Sequence, residues 1–133
     1  MILDTSVLTT IFFGEAEATV YTRHIYDADQ CLISLANLLE LYMVIEGQIG
    51  TDAGRQCDVF IREARILIEP VTIEHGQLAR QAFLDFGKGR HPAGLNFGDC
   101  FAYALAKATG QALLFKGEDF SKTDIRSAIE PMQ

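Results

Sequence analysis

Long apolar runs are missing from this chain. None of its uncharged stretches approaches the roughly 20 residues that a helix needs to span a bilayer. No basic segment followed by a long apolar one opens it, so no secretory leader is expected. Cysteine is scarce as well. Cys31, Cys57 and Cys100 are odd in number, lack the spacing of a metal site and lie in apolar or helical contexts. They are expected as buried, reduced thiols in a cytoplasmic protein. Positive charge is in short supply: 11 Lys and Arg stand against 18 Asp and Glu, a net charge of −7. The basic balance usual in nucleic-acid binders is therefore absent. Internal repeats, low-complexity tracts and linkers are absent too. What is present is 133 residues, 49% of them hydrophobic, which suits one core and a single domain over 1–133.

The apolar residues come in short runs. MILD (1–4), CLIS (31–34), Leu67 to Val71 and ALLF (112–115) read as strands, with a weaker fifth near Ala128–Glu130. Helical segments separate them. Residues 5–13 begin a helix that Gly14 breaks, and 15–28 carry Ala16, Ala18, Val20, Tyr21, Ile25 and Tyr26 at helical spacing. Ser34 is placed to cap the next helix, expected to run to about Glu46 before Gly47. Residues 52–66 and 74–86 are helical, and 88–94 (KGRHPAG) form a loop. The last helix, 98–109, is apolar on nearly every face and is expected to be deeply buried. Strands alternating with helices imply an α/β fold, its parallel sheet covered on both faces.

Against this frame four acids fall where strands end or helices begin: Asp4, Glu40, Asp99 and Asp119. Singly, each has a plainer explanation. Asp4 and Asp99 suit helix N-termini, Glu40 suits the solvent face of a helix, and Asp119 suits a turn beside Glu118. Jointly they say more. Ligands of open α/β sheets bind outside the carboxyl ends of the strands, and clustered carboxylates repel one another unless a cation stands between them. Oxygen-only donors suit Mg²⁺ or Mn²⁺ rather than zinc, and Mg²⁺ completes its shell with water and substrate phosphate. The pattern thus points to a metal-dependent chemistry on phosphodiesters. A metal site would also account for part of the negative charge. Lys88, Arg90, His91, Lys107, Lys116, Lys122 and Arg126 all lie in the second half of the chain, where they read equally well as a basic patch or as ordinary solvated residues.

The segments MILDTSVL, ISLANLLEL, LNFGDCFAYALAK and LLFKGEDFSKTDI resemble the signatures of PIN-domain proteins, specifically the VapC-type toxins of bacterial toxin–antitoxin pairs. The likeness runs to about Ile125. It implies a three-layer α/β/α sandwich with a central parallel sheet of four to five strands. It also implies a homodimer, a Mg²⁺- or Mn²⁺-dependent endoribonuclease acting on RNA, and a cognate antitoxin that blocks the site. Carried over by motif, the metal-binding and catalytic acids are Asp4, Glu40, Asp99 and Asp119. Ser6 matches a small hydroxyl residue of the opening motif that orients a carboxylate or water. The role of Glu118 stays open.

Other classes fit less well. A Mg²⁺-dependent phosphoacceptor domain would want paired acids after the first strand, where Asp4 has only Thr5 and Ser6. A phosphomonoesterase with an Asp nucleophile would want a second acid at the position of Ser6. A non-catalytic binding module on the same scaffold has no need of all four acids. His24 and His75 read as surface or packing residues, while His91 has a lesser reading as a phosphate contact. The run Tyr42, Met43, Val44, Ile45 and the 52–66 helix offer apolar surface either to the core or to a dimer or antitoxin interface. An acidic chain of this kind suits a basic partner segment.

Overall fold

The computed structural model describes residues 1–129. Four short strands form one parallel sheet in the order β3-β2-β1-β4. They are β1 (Ile2–Leu3), β2 (Leu32–Ser34), β3 (Leu67–Glu69) and β4 (Leu113–Leu114). Ile2 pairs with both Leu32 and Leu113, so β1 is an interior strand. The helices are α1 (Thr5–Phe12), α2 (Ala18–Asp27), α3 (Leu35–Gln48), α4 (Thr51–Glu63), α5 (Ile73–Phe86) and α6 (Phe97–Thr109).

The alternation of side chains along each strand divides the core into two layers. Leu3, Ile33 and Leu114 point to one face, where Val7, Leu8, Ile25, Leu41 and Cys57 of α1 to α4 bury them. Ile2, Leu32 and Leu113 point to the other, against Ala79 and Ala82 of α5 and Ala102 to Ala106 of α6. This is the expected three-layer α/β/α sandwich. Helix α6 is buried along most of its length, as expected, although its first residue, Phe97, is exposed.

Several boundaries move. Helix α3 runs through Gly47 and stops before Gly50, whose φ of 121° is the true break. Helix α4 ends at Glu63 rather than at 66. β3 stops at Glu69 because its pairing partner ends there: Glu69 lies opposite Ser34, the last residue of β2 before α3 begins. The fifth strand is reduced to a single parallel bridge between Leu113 and Ser127, with Ala128 N donating to Leu113 O at 2.9 Å. Glu130, included in that expectation, lies outside the described residues. Among the described residues, no helix is long and apolar enough to cross a membrane.

Candidate active site

The carboxyl ends of β1, β2 and β4 face one edge of the sheet, and the chain leaves each of them into a different arm of the site. Asp4 follows β1 directly and is the N-cap of α1. Its Oδ2 accepts a hydrogen bond from Ser6 N at 3.1 Å, and the residue is only 4% exposed. Ser6 also reaches across the sheet edge. Its Oγ accepts from Lys116 N at 3.0 Å, which ties the start of α1 to the segment after β4. Ser34 ends β2 and caps α3 by accepting from Ala36 N. This sets the phase of α3, in which Leu38 and Leu41 enter the core and Glu40 is left between them on the side of α6.

Glu40 meets α6 at Gly98. A β-carbon at that position would collide with the Glu40 carboxylate, so this glycine is what lets α3 and α6 bring their acids together. The fully buried Asn37, one turn earlier in α3, fastens the same contact. Its Nδ2 donates to Gly98 O at 2.9 Å, and its backbone carbonyl accepts from the Thr5 hydroxyl at 3.1 Å. Asn37 Oδ1 is buried with no hydrogen-bond partner. Asp99 sits one residue beyond Gly98 in a reciprocal capping box: its N donates to Asn96 Oδ1 at 2.9 Å, and its Oδ2 accepts from Asn96 N at 3.0 Å. Capping and site geometry therefore coexist, since the second carboxyl oxygen, Oδ1, lies outside the box.

Electrostatics link the group. Burial pushes the Asp4 carboxyl up to about 7. The charges of Asp99 and Glu40 add to that rise, and hydrogen bonds from Ser6 oppose it. Burial likewise pushes Asp99 up to about 6, helped by Asp119 and Glu40 and opposed by the hydrogen bond from Asn96 N. Asp119, exposed at the start of a short 3-10 turn (Phe120–Lys122), stands at the rim and makes no side-chain cap there. Glu118 is exposed beside it.

The two lysines that form ion pairs among the described residues are engaged with acids outside the quartet. Lys116 is held by Glu15 and Glu17 of the α1–α2 turn, and Lys107 by Asp124. Glu17 Oε2 lies 3.2 Å from the Lys116 ammonium, within ion-pair reach but off the line of a hydrogen bond. His91 folds back on its own loop, its Nδ1 accepting from Ala93 N at 3.0 Å and its ring set edge-on to Phe86. Among the described residues, no basic side chain forms an ion pair with any of the four acids. Also among those residues, no three His, Cys, Asp or Glu side chains stand close enough together to clasp an ion. Donors that are all carboxylate oxygens, with burial already raising two of them, fit a hard divalent cation.

The PIN domain family model matches residues 1–126. The chain belongs to the PIN-domain family. Within that family it is similar to Ribonuclease VapC30 of Mycobacterium tuberculosis, 43% identical over 132 residues that span 98% of this chain and 100% of that protein. The crystal structure of Mycobacterium tuberculosis VapC20, described as a sarcin-ricin loop cleaving toxin, superposes with a TM-score of 0.78. It is 19% identical and covers 98% of both chains. A toxin-antitoxin complex from Klebsiella pneumoniae gives 0.69 at 17% identity, with 92% of each chain covered. At those identities the two structures speak for the fold. In this PIN domain the residues that sequence reasoning passed over are Gly98 and Asn37. Asn37 did leave a signal, a lone amide inside the apolar run LANLLEL, and such a residue is buried only with a partner. Gly98 left none, because its effect lies across the fold, on Glu40.

Proposed function

We propose that this PIN domain is a VapC-like endoribonuclease toxin that hydrolyses RNA phosphodiesters with a Mg²⁺ or Mn²⁺ ion. The observation that carries this reading is the set of four carboxylates, delivered by four separate segments to one sheet edge without a basic partner among the described residues. Asp4, Glu40, Asp99 and Asp119 would hold the cation. When bound, a divalent cation lowers the pKa of a water and offsets charge growing on the phosphate oxygens. The chain's own part is to hold the donors. Asp4 and Asp99 are anchored by backbone N–H groups, and Ser6 fixes Asp4 against the end of β4. Asp119, exposed at the rim, is free to reorient as substrate arrives.

The partners follow from the surface. Leu35, Leu39 and Met43 form an exposed stripe four residues apart along α3. A groove between α3 and α4 is lined by Leu39, Tyr42, Glu46, Arg55 and Asp58. Ile45 belongs to the core, so the apolar surface is narrower than the sequence run implies. We assign this face to an antitoxin helix, with a homodimer contact along the same stripe. The acidic balance of the chain favours a basic antitoxin segment. Three free, buried cysteines accord with a cytoplasmic setting.

The test is cleavage of a labelled total-RNA pool in Mg²⁺, in Mn²⁺ and in EDTA, with wild type beside Asp99→Asn. Discrete products that need metal and fall by at least about 10²-fold in the variant are expected. Metal-independent products, or full activity in Asp99→Asn, would overturn the assignment.

A further inference from the structure

We propose that the groove between α5 and α6 binds a base of single-stranded RNA, stacked on Phe97 beside the carboxylate quartet. This rests on the nuclease reading for its substrate class. The groove has a volume of about 330 Å³ and is lined chiefly by Ala79, Arg80, Phe83, Phe97, Cys100 and Phe101. That volume lies in the range of small-ligand clefts, roughly 300–1,000 Å³. Phe97 is the first residue of α6, two positions before Asp99, and 81% exposed. A phenyl ring left in water is costly unless something covers it. This one is braced rather than loose, because Phe101 meets it edge-on with centroids 4.9 Å apart.

The charge around the groove identifies the occupant. In a chain of net charge −7, Arg80 lies in its wall, and the Arg90 guanidinium sits 5.5 Å over the Phe83 ring. Neither arginine has a carboxylate partner among the described residues, in contrast to Lys107 and Lys116. An aromatic floor with arginines at its margin matches how single strands are held, by bases on rings and phosphates on cations. A phosphate alone does not suit walls that are mostly carbon. A second copy of the chain is already assigned to the exposed stripe Leu35, Leu39 and Met43 of α3, which leaves this groove to another occupant. A base seated on Phe97 would carry its backbone past Asp99, which makes the groove a candidate determinant of which nucleotide is cut.

The chain contains no tryptophan, so Phe97→Trp installs a single reporter at an exposed position. In EDTA, its emission is read against a short mixed-sequence single-stranded RNA and against an abasic strand of the same length. Saturable quenching by the RNA and none by the abasic strand is expected. Phe97→Ala is expected to weaken RNA binding about ten-fold in anisotropy, the effect of one lost stack. Arg80→Gln is expected to weaken both strands alike. Equal quenching by the abasic strand overturns the proposal in favour of phosphate binding alone. The absence of quenching by RNA overturns it too, as does emission that follows protein concentration instead, which marks a second copy in the groove. Because no metal is present, the two readings separate. Metal-dependent cleavage with an unquenched indole reporter removes only the groove. Quenching without metal-dependent cleavage removes only the nuclease.

Discussion

A β-carbon at position 98 would stand 2.7 Å from Glu40 Oε1 and about as close to the carboxylate carbon. Position 98 is in the first turn of α6 with an ordinary helical backbone, so alanine there is favoured by propensity. The obstacle is the end of a flexible side chain, and Glu40 can swing aside at little cost in stability. Gly98→Ala is therefore expected to leave the unfolding midpoint nearly unchanged while displacing one carboxylate. Misplacement of about 1 Å at a reacting centre costs roughly 10²-fold in rate, and a loss of that order in RNA cleavage is the expected outcome. Melting and cleavage measured on one preparation check it: full activity would show that Glu40 is not needed where it stands. The same scale explains why the acids could not be assigned singly from sequence. Asp4 looks like a cap because it is one, and Asp99 closes the capping box of α6 from its third position, each using Oδ2 for a backbone N–H. The structure adds that the remaining oxygens belong to one electrostatic group.

Elements end here for reasons that are sometimes local and sometimes not. Helix α4 closes in a Schellman motif: Arg65 N donates to Arg62 O, Ile66 N donates to Ile61 O, and the buried Ile61 and Ile66 supply the apolar contact. The motif needs a left-handed residue at position 65, and Arg65 occupies it with φ 57°. A β-carbon in that conformation costs roughly 1–2 kcal/mol. Glycine avoids this but loses more entropy on folding. Arg65→Gly is therefore expected to stabilise the protein by about 0.5–1 kcal/mol, raising the unfolding midpoint by about 2–4 °C. Cleavage should not change, because the position precedes β3 at the end of the sheet away from the acids. A lower midpoint in thermal melting would refute this. Without a glycine or asparagine to mark it, that stop is not legible in the sequence, whose helical spacing runs on to 66. Gly47 misleads in the opposite direction. The strands are legible because their apolar runs are short and sharply bounded, and the two-sided sheet because Ile2 and Leu3, Leu32 and Ile33, and Leu113 and Leu114 are all apolar. The direction of Glu40 is not, since leucines surround it on every side in sequence and only the missing side chain across the fold, at Gly98, settles it.

For the whole molecule, the proposed metal site would couple stability to pH and to metal with opposite signs. In metal-free protein, burial holds Asp4 up to about 7 and Asp99 up to about 6, whereas both ionise near the ordinary carboxylate value once unfolded. Between those limits the folded chain binds more protons than the unfolded one, so stability falls as pH rises. The contribution is fully present below about pH 4 and is lost as pH passes through about 7. A divalent cation competes with those protons, since its ligands must be ionised. Its stabilisation, which grows with the ratio of free cation to dissociation constant, therefore increases over the range in which the bare site weakens. Unfolding midpoints in EDTA are expected to drop from pH 5 to pH 8, and the increment from millimolar Mn²⁺ to widen over the same interval. Other acids of a chain of net charge −7 also pull stability down as pH rises. Asp4→Asn isolates the site from that background: it removes the ionisation at its most buried position, so its EDTA curve should be flatter and its Mn²⁺ increment small at every pH. A wild-type increment indifferent to pH, or an Asp4→Asn protein that keeps both slopes, would place the metal and the buried proton somewhere other than Asp4.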